Sequence, residues 1–163
     1  MKLFHILLAE DNEGDIMLIE EAISFANIQV KLSVVQDGKA VMDFLNKEGN
    51  YHNMDLPDLL ILDINLPKKN GHEVLKYIKE HKSFKYIPVT IFTTSSSGRD
   101  IKMCYDNYAN CFITKPSDVN EFLRVVASLI FFWMNTAKIH SKNTFLKDVS
   151  QNNLPDGAFF VRA

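Results

Sequence analysis

The feature that most constrains this chain is an alternation, met five times, of a short apolar run with a stretch whose apolar residues recur every three or four positions. Lys2 to Ala9 is a nearly continuous apolar run, closed by the turn- and cap-forming cluster Glu10 to Gly14. Ile16, Ile19, Ile23 and Ala26 then mark one face of a helix ending near Asn27. Val30 to Val35 is β-branched enough for a second strand, and Asp37-Gly38 breaks it before the stripe Ala40, Val41, Phe44 and Leu45. Glu48 to Asp55 is polar and aperiodic, a loop somewhat longer than such a connection needs. Leu59 to Leu62 is the third strand, and Val74, Leu75 and Ile78 place a third helix up to about Lys82. Ile87 to Phe92 is the fourth strand, Ile101 to Tyr108 a short helix, and Cys111 to Thr114 a brief fifth strand stopped by Pro116. Ser117 or Asp118 then caps a last helix running to about Asn135.

Strands joined through helices are parallel, because a parallel connection needs a crossover. The expected class is therefore α/β: a doubly wound, five-stranded parallel sheet covered on both faces, a (βα)5 flavodoxin-like fold. At 163 residues the chain suits one domain with an appendage. Residues 1–135 are expected to form the domain and 136–163 a C-terminal tail, in which no second domain is visible and whose structure the pattern leaves unassigned. A net charge of -2 gives no reason to expect nucleic-acid binding. The longest apolar run, within Val125 to Met134, is well short of the roughly 20 residues a membrane span needs. The first apolar run begins without a signal-peptide cleavage pattern, so a cytoplasmic address is expected. Cys104 and Cys111 lack the spacing of a metal or redox motif and read as structural.

In doubly wound sheets ligands bind outside the carboxyl ends of the strands. The residues that follow the apolar runs are Glu10 and Asp11, then Asp63, Thr93 and Thr94, and Lys115. Three carboxylates on one rim repel one another unless a cation holds them, and oxygen donors select Mg²⁺ or Mn²⁺ over zinc. A carboxylate nucleophile beside a metal and a lysine is chemically sufficient for phosphoryl transfer, which makes Asp63 the natural acceptor. Singly, each of these residues reads equally well as a helix cap, a solvated loop charge or a surface lysine; the set on one edge does not.

The pair Glu10-Asp11, the segment LLILDINLPKKNG around Asp63, the threonine of IFTTSS and the segment CFITKP resemble a response-regulator receiver domain over about residues 1 to 135. The intervals from Asp63 to Thr93 and from Asp63 to Lys115 agree with that family. LPKKNG, TTSS, ANCFITKP and the late FFWM are similar, more narrowly, to the small single-domain regulators that pair with phytochrome-type histidine kinases. The resemblance implies a signalling switch of a two-component system, not an enzyme acting on other molecules. Asp63 is then the phosphoacceptor for a sensor histidine kinase, with Mg²⁺ held by Glu10, Asp11, Asp63 and the Asn65 carbonyl. Lys115 pairs with the acceptor or its phosphoryl group, the Thr93 hydroxyl moves to a phosphoryl oxygen, Phe112 is the aromatic switch, and Ser95 stands where receivers tune hydrolysis. Two departures stand out: Glu10 replaces the commoner aspartate, and Phe112 lacks a tyrosine hydroxyl. A cis Lys115-Pro116 peptide is open at this point, since proline lowers the cis cost to about 0.5–1 kcal/mol.

The last helix carries more apolar surface, from Phe122 to Met134, than one core stripe uses. A homodimer through the fourth helix, fifth strand and fifth helix, with Trp133 near the contact, is the expectation. Two rival functions use the same residues. A haloacid-dehalogenase-like phosphatase also needs a strand-end aspartate with Mg²⁺ but wants a second acid two positions on, where Asn65 stands. A receiver-like scaffold would never be phosphorylated.

Overall fold

The computed structural model describes residues 3–139 and the backbone of 159–162. Six strands form one parallel sheet: β1 (Phe4–Ala9), β2 (Val30–Val35), β3 (Leu59–Leu62), β4 (Val89–Thr93), β5 (Cys111–Thr114) and β6 (Phe159–Arg162), in the order β5-β4-β3-β1-β2-β6. The five expected strands are all present and all parallel. The sixth comes from the tail that the apolar pattern left unassigned, and it pairs with β2 with Lys31 opposite Phe159 and Val34 opposite Arg162. At four residues it is too short for the apolar pattern to single out.

Five helices connect the strands: α1 (Glu13–Phe25), α2 (Gly38–Asn46), α3 (Gly71–Glu80), α4 (Gly98–Asp106) and α5 (Val119–Phe131). Each begins at a side chain that accepts a backbone N–H of the first turn: Asn12, Asp37, Asn70, Ser97 and Asp118. Asn70 and Glu73 close a reciprocal capping box at the start of α3. At the last helix Asp118, not Ser117, is the cap. Phe132–Thr136 continues α5 as a π-helical turn, and Gly49–Tyr51 forms a 3₁₀ turn within the long α2–β3 connection.

Alternate strand residues feed two cores. Leu7, Ala9, Leu60 and Leu62 point to the face covered by Phe44, Val74 and Ile78 of α2 and α3. Ile6, Leu8, Leu59 and Ile61 point to the face covered by Ile16, Ile23, Phe122 and Val126 of α1 and α5. Burial on both sides explains why these strands read as continuous apolar runs rather than alternating ones. The connection changes face between β1 and β3, which are neighbours although β2 lies between them in sequence. The crevice at their carboxyl ends is where Glu10, Asp11 and Asp63 emerge.

Candidate phosphoacceptor and metal site

Glu10, Asp63 and Lys115 each sit one position beyond a strand end, so the strand ladders fix their backbones. The Glu10 N–H donates to the Val35 carbonyl at 3.0 Å and the Asp63 N–H to the Ala9 carbonyl at 3.0 Å. The Lys115 N–H donates to the Thr93 carbonyl at 2.7 Å. The loop after Asp63 is cinched against that residue's own backbone. The Gly71 N–H donates to the Ile64 carbonyl at 2.8 Å, and a Cβ at Gly71 would come within 2.4 Å of the Asp63 carbonyl oxygen. Glycine there lets α3 begin hard against the acceptor strand.

The side chains converge. The Lys115 ammonium donates to Glu10 Oε2 at 2.6 Å, to Asp15 Oδ2 at 2.7 Å and to Asp63 Oδ2 at 2.8 Å. Lys115, Glu10 and Asp63 are buried. Glu10 Oε1 accepts the Asn12 N–H at 3.1 Å, and Asp63 Oδ1 accepts the Asn65 N–H at 3.1 Å. Carboxylate oxygens of Glu10, Asp11 and Asp63 lie within 4.8 Å of one another, with Asp11 on the solvent side. Asn65 is exposed next to the acceptor, and Thr93 is fully buried at the end of β4 with its Oγ1 accepting the Ser95 N–H at 3.4 Å. Phe112 is half-buried in β5, against the core under α2 and α3.

Electrostatics follow from that packing. Burial pushes the Glu10 carboxyl from its ordinary 4.5 up to about 7, Asp63's charge adds to the rise, and the Lys115 hydrogen bond only partly opposes it. Burial alone would lower the Lys115 ammonium, but its hydrogen bonds to Asp15, Asp63 and Glu10 outweigh that and hold it above the usual lysine range. One ammonium thus faces three acceptors, with Asp11 as a further carboxylate of the cluster. An all-oxygen donor set with one open, solvent-facing side fits a hard divalent cation.

One open point closes and one site residue is added. Among the described residues there is no cis peptide, so Lys115 reaches its partners from a trans Lys115-Pro116 bond; the hydrogen bond of its own N–H to Thr93 already aims the side chain inward. Asp15, which sequence reasoning missed, is a direct partner of Lys115. In sequence it looks like an acid of the first helical turn complementing the helix dipole; its place in the first turn of the helix that directly follows Glu10 and Asp11 was the available signal. Trp133, expected near a dimer contact, is half-buried, and its Nε1–H donates to Thr90 Oγ1 at 3.1 Å. With Ile113, Val125, Leu129 and Phe132 it lines a largely apolar groove of about 600 Å³ between β5 and α5.

A doubly wound sheet with an acid pair after the first strand, Glu10 buried and Asp11 exposed, a strand-end aspartate and an inward lysine defines the receiver class. Residues 6–127 match the family described as the response regulator receiver domain. The chain belongs to that family and is the receiver domain of a two-component response regulator. It is 38% identical over 134 residues to the response regulator Rcp1 of Synechocystis sp., covering 82% of this chain and 91% of that one. Among solved structures it is similar to the phosphorylated cyanobacterial phytochrome response regulator RcpA, with TM-score 0.82 and 40% identity over 86% of this chain and 100% of that one. It is also similar to the Mn²⁺-bound form of Rcp1, with TM-score 0.80 and 37% identity over 84% and 99% of the two chains. No helix among the described residues is long and apolar enough to cross a membrane.

Proposed function

We propose that Asp63 accepts a phosphoryl group from a sensor histidine kinase, and that the modified rim changes which partner, or which copy of itself, the protein binds. The observation that carries this reading is the Lys115 ammonium bridging Glu10, Asp15 and Asp63 while Glu10, Asp11 and Asp63 gather within 4.8 Å.

Glu10, Asp11 and Asp63 would hold Mg²⁺, with the Asn65 carbonyl as a further ligand. Bound there, Mg²⁺ would neutralise charge on the phosphoryl oxygens and on the carboxylates themselves. The chain's own residues supply the rest. Asp63 Oδ attacks phosphorus in line with the leaving group, forming the acyl phosphate as the bond to the donor breaks. Lys115 is already within hydrogen-bond reach of the acceptor oxygen, so its charge meets the phosphoryl group without a large movement. The Thr93 hydroxyl, which accepts the Ser95 N–H, turns to a phosphoryl oxygen. Phe112, half-buried on β5 and paired across the sheet with Ile91 of β4, repacks into the space that Thr93's movement leaves, giving two discrete arrangements of one surface.

In this reading residues 1–135 form the body of the receiver, and the tail 136–163 adds β6 to the same sheet and no second domain. The chain catalyses only its own phosphorylation and dephosphorylation, and works in the cytoplasm. The kinase is of the phytochrome type, by analogy with RcpA, a phytochrome response regulator with which this chain shares 40% identity. A homodimer through α4, β5 and α5 would cover the groove beside Trp133 together with Phe131 and Phe132, which are 59% and 48% exposed. The phosphatase alternative is not favoured, because Asn65 cannot act as the second acid it requires.

The test is to incubate the protein with acetyl phosphate and measure its intact mass with and without Mg²⁺. One phosphoryl group is expected with Mg²⁺, little without it, and none on Asp63→Asn. Equal labelling of Asp63→Asn would overturn the assignment, and steady turnover of a phosphomonoester would revive the phosphatase. Sedimentation as a monomer, phosphorylated or not, at high micromolar concentration would remove the dimer.

A further inference from the structure

Beyond Thr93 a chain of hydrogen bonds leaves the pocket and crosses three elements. The Ser95 N–H donates to Thr93 Oγ1, and the Ser95 hydroxyl donates to Asp100 Oδ2 at 2.6 Å. Asp100 Oδ1 accepts from His72 Nε2 at 3.1 Å, and His72 Nδ1 lies 3.6 Å from Cys104 Sγ. His72 opens α3 and is 12% exposed, while Cys104 of α4 is completely buried. Burial, with Asp100's charge adding to it, pushes the Cys104 thiol up to about 11, so it stays protonated and can serve the imidazole as a donor. A thiol donating to Nδ1 leaves Nε2 as the N–H nitrogen, pointed at Asp100. The spacing resembles a cysteine–histidine–aspartate triad, but a sealed thiol has no access to substrate. The chain ends instead on Ser95.

That end is where the consequence lies. The Ser95 hydroxyl spends its proton on Asp100 and accepts the Ser97 N–H at 3.3 Å, so it is committed to the start of α4. A hydroxyl so held cannot orient a water molecule toward a phosphoryl group on Asp63. We propose that His72 and Asp100 are positioning residues which lock the Ser95 hydroxyl onto α4 and thereby lengthen the life of the phosphorylated state. The proposal rests on Asp63 being the phosphoacceptor. The step restrained is hydrolysis: water oxygen bonds to phosphorus, the bond from phosphorus to Asp63 Oδ breaks, Asp63 leaves as carboxylate, and inorganic phosphate and one proton pass to solvent.

The experiment follows loss of the phosphoryl group from full-length protein. The protein is labelled with acetyl phosphate and Mg²⁺, freed of donor, and read by intact mass over time. His72→Leu is expected to shorten the lifetime roughly fivefold, the rate equivalent of one released hydrogen-bond restraint. His72→Gln, which keeps an N–H donor toward Asp100, should restore it. In the Ser95→Ala background His72→Leu should add nothing, because the group it releases is gone. A wild-type lifetime in His72→Leu, failure of His72→Gln to rescue, or the same fivefold factor on top of Ser95→Ala would overturn the relay. If urea unfolding shows that His72→Leu does not fold, the half-buried Asp100 is changed to Ala and judged by the same criteria. A wild-type protein that takes no label at all overturns the phosphoacceptor reading itself, an outcome distinct from labelled proteins with equal lifetimes.

Discussion

Two lysines are largely withdrawn from water at opposite ends of the sheet, and their surroundings set them apart. Lys115, at the carboxyl rim, donates to three carboxylates. Lys79, near the end of α3 at the other rim, donates to the Ile87 carbonyl and to Asn110 Oδ1, both at 2.9 Å, all neutral acceptors. Burial therefore lowers the Lys79 ammonium from its ordinary 10.5 to about 8, whereas the Lys115 ammonium is held above its usual range. The same side chain ties two connections, α3–β4 and α4–β5, to the end of α3 at one rim and balances a reactive cluster at the other. Burial by itself does not mark a functional lysine; the charges facing it do.

Exchanging each lysine for an apolar residue should sharpen this contrast. Lys115→Met, which strips the shared ammonium from Glu10, Asp15 and Asp63, is expected to slow labelling by acetyl phosphate about a hundredfold, read from initial rates. Lys79→Met should label at the wild-type rate but lose about 1–3 kcal/mol of stability in urea, from carbonyl and amide acceptors left without a donor. Its pH profile should change too. With a folded-state value depressed to about 8, the unfolded chain binds the extra proton between about 8 and 10.5, so wild-type stability gains from rising pH in that window. Lys79→Met should lack that gain.

Glu10 tests the acidic half of the comparison. Its folded-state value is raised, so the metal-free protein loses stability as pH climbs from about 4.5 to about 7, where the folded carboxyl gives up its proton in a crowded pocket. Protons should compete with Mg²⁺ over the same range. Calorimetry is expected to show affinity rising roughly tenfold between pH 6 and 8, and Glu10→Gln should flatten the dependence. The smallest effect belongs to Asp15→Asn. Asp15 is partly exposed and leaves Lys115 with two other carboxylates, so the stability change should stay below about 1 kcal/mol in urea melts. A larger loss would mean that Asp15 carries more of the lysine's charge than its position implies.

The sheet, the five crossover helices and most of the rim were legible in the sequence because period and position coincide there. A strand buried on both faces is a compact apolar run, and the residue after it must lie at the carboxyl edge, which located Glu10, Asp63, Thr93 and Lys115 at once. Asp15 was not legible, because its backbone belongs to the first turn of α1 and only tertiary packing turns its carboxylate to Lys115. His72 and Asp100 look like ordinary first-turn residues of α3 and α4, and become partners only when those helices pack side by side. Lys79 sits beside the apolar stripe of α3, where a lysine usually reaches into water. β6 joins the sheet as a four-residue strand, too short for periodicity to register.

The carboxylate cluster around Lys115 makes one aspartate, and no other group, the acceptor. Peptide-level mass mapping after labelling with acetyl phosphate and Mg²⁺ tests it most directly. The account predicts a single phosphorylated peptide, carrying Leu59 to Leu66 with the group on Asp63; a phosphoryl group on Glu10, Asp11, Asp15 or any histidine would contradict it.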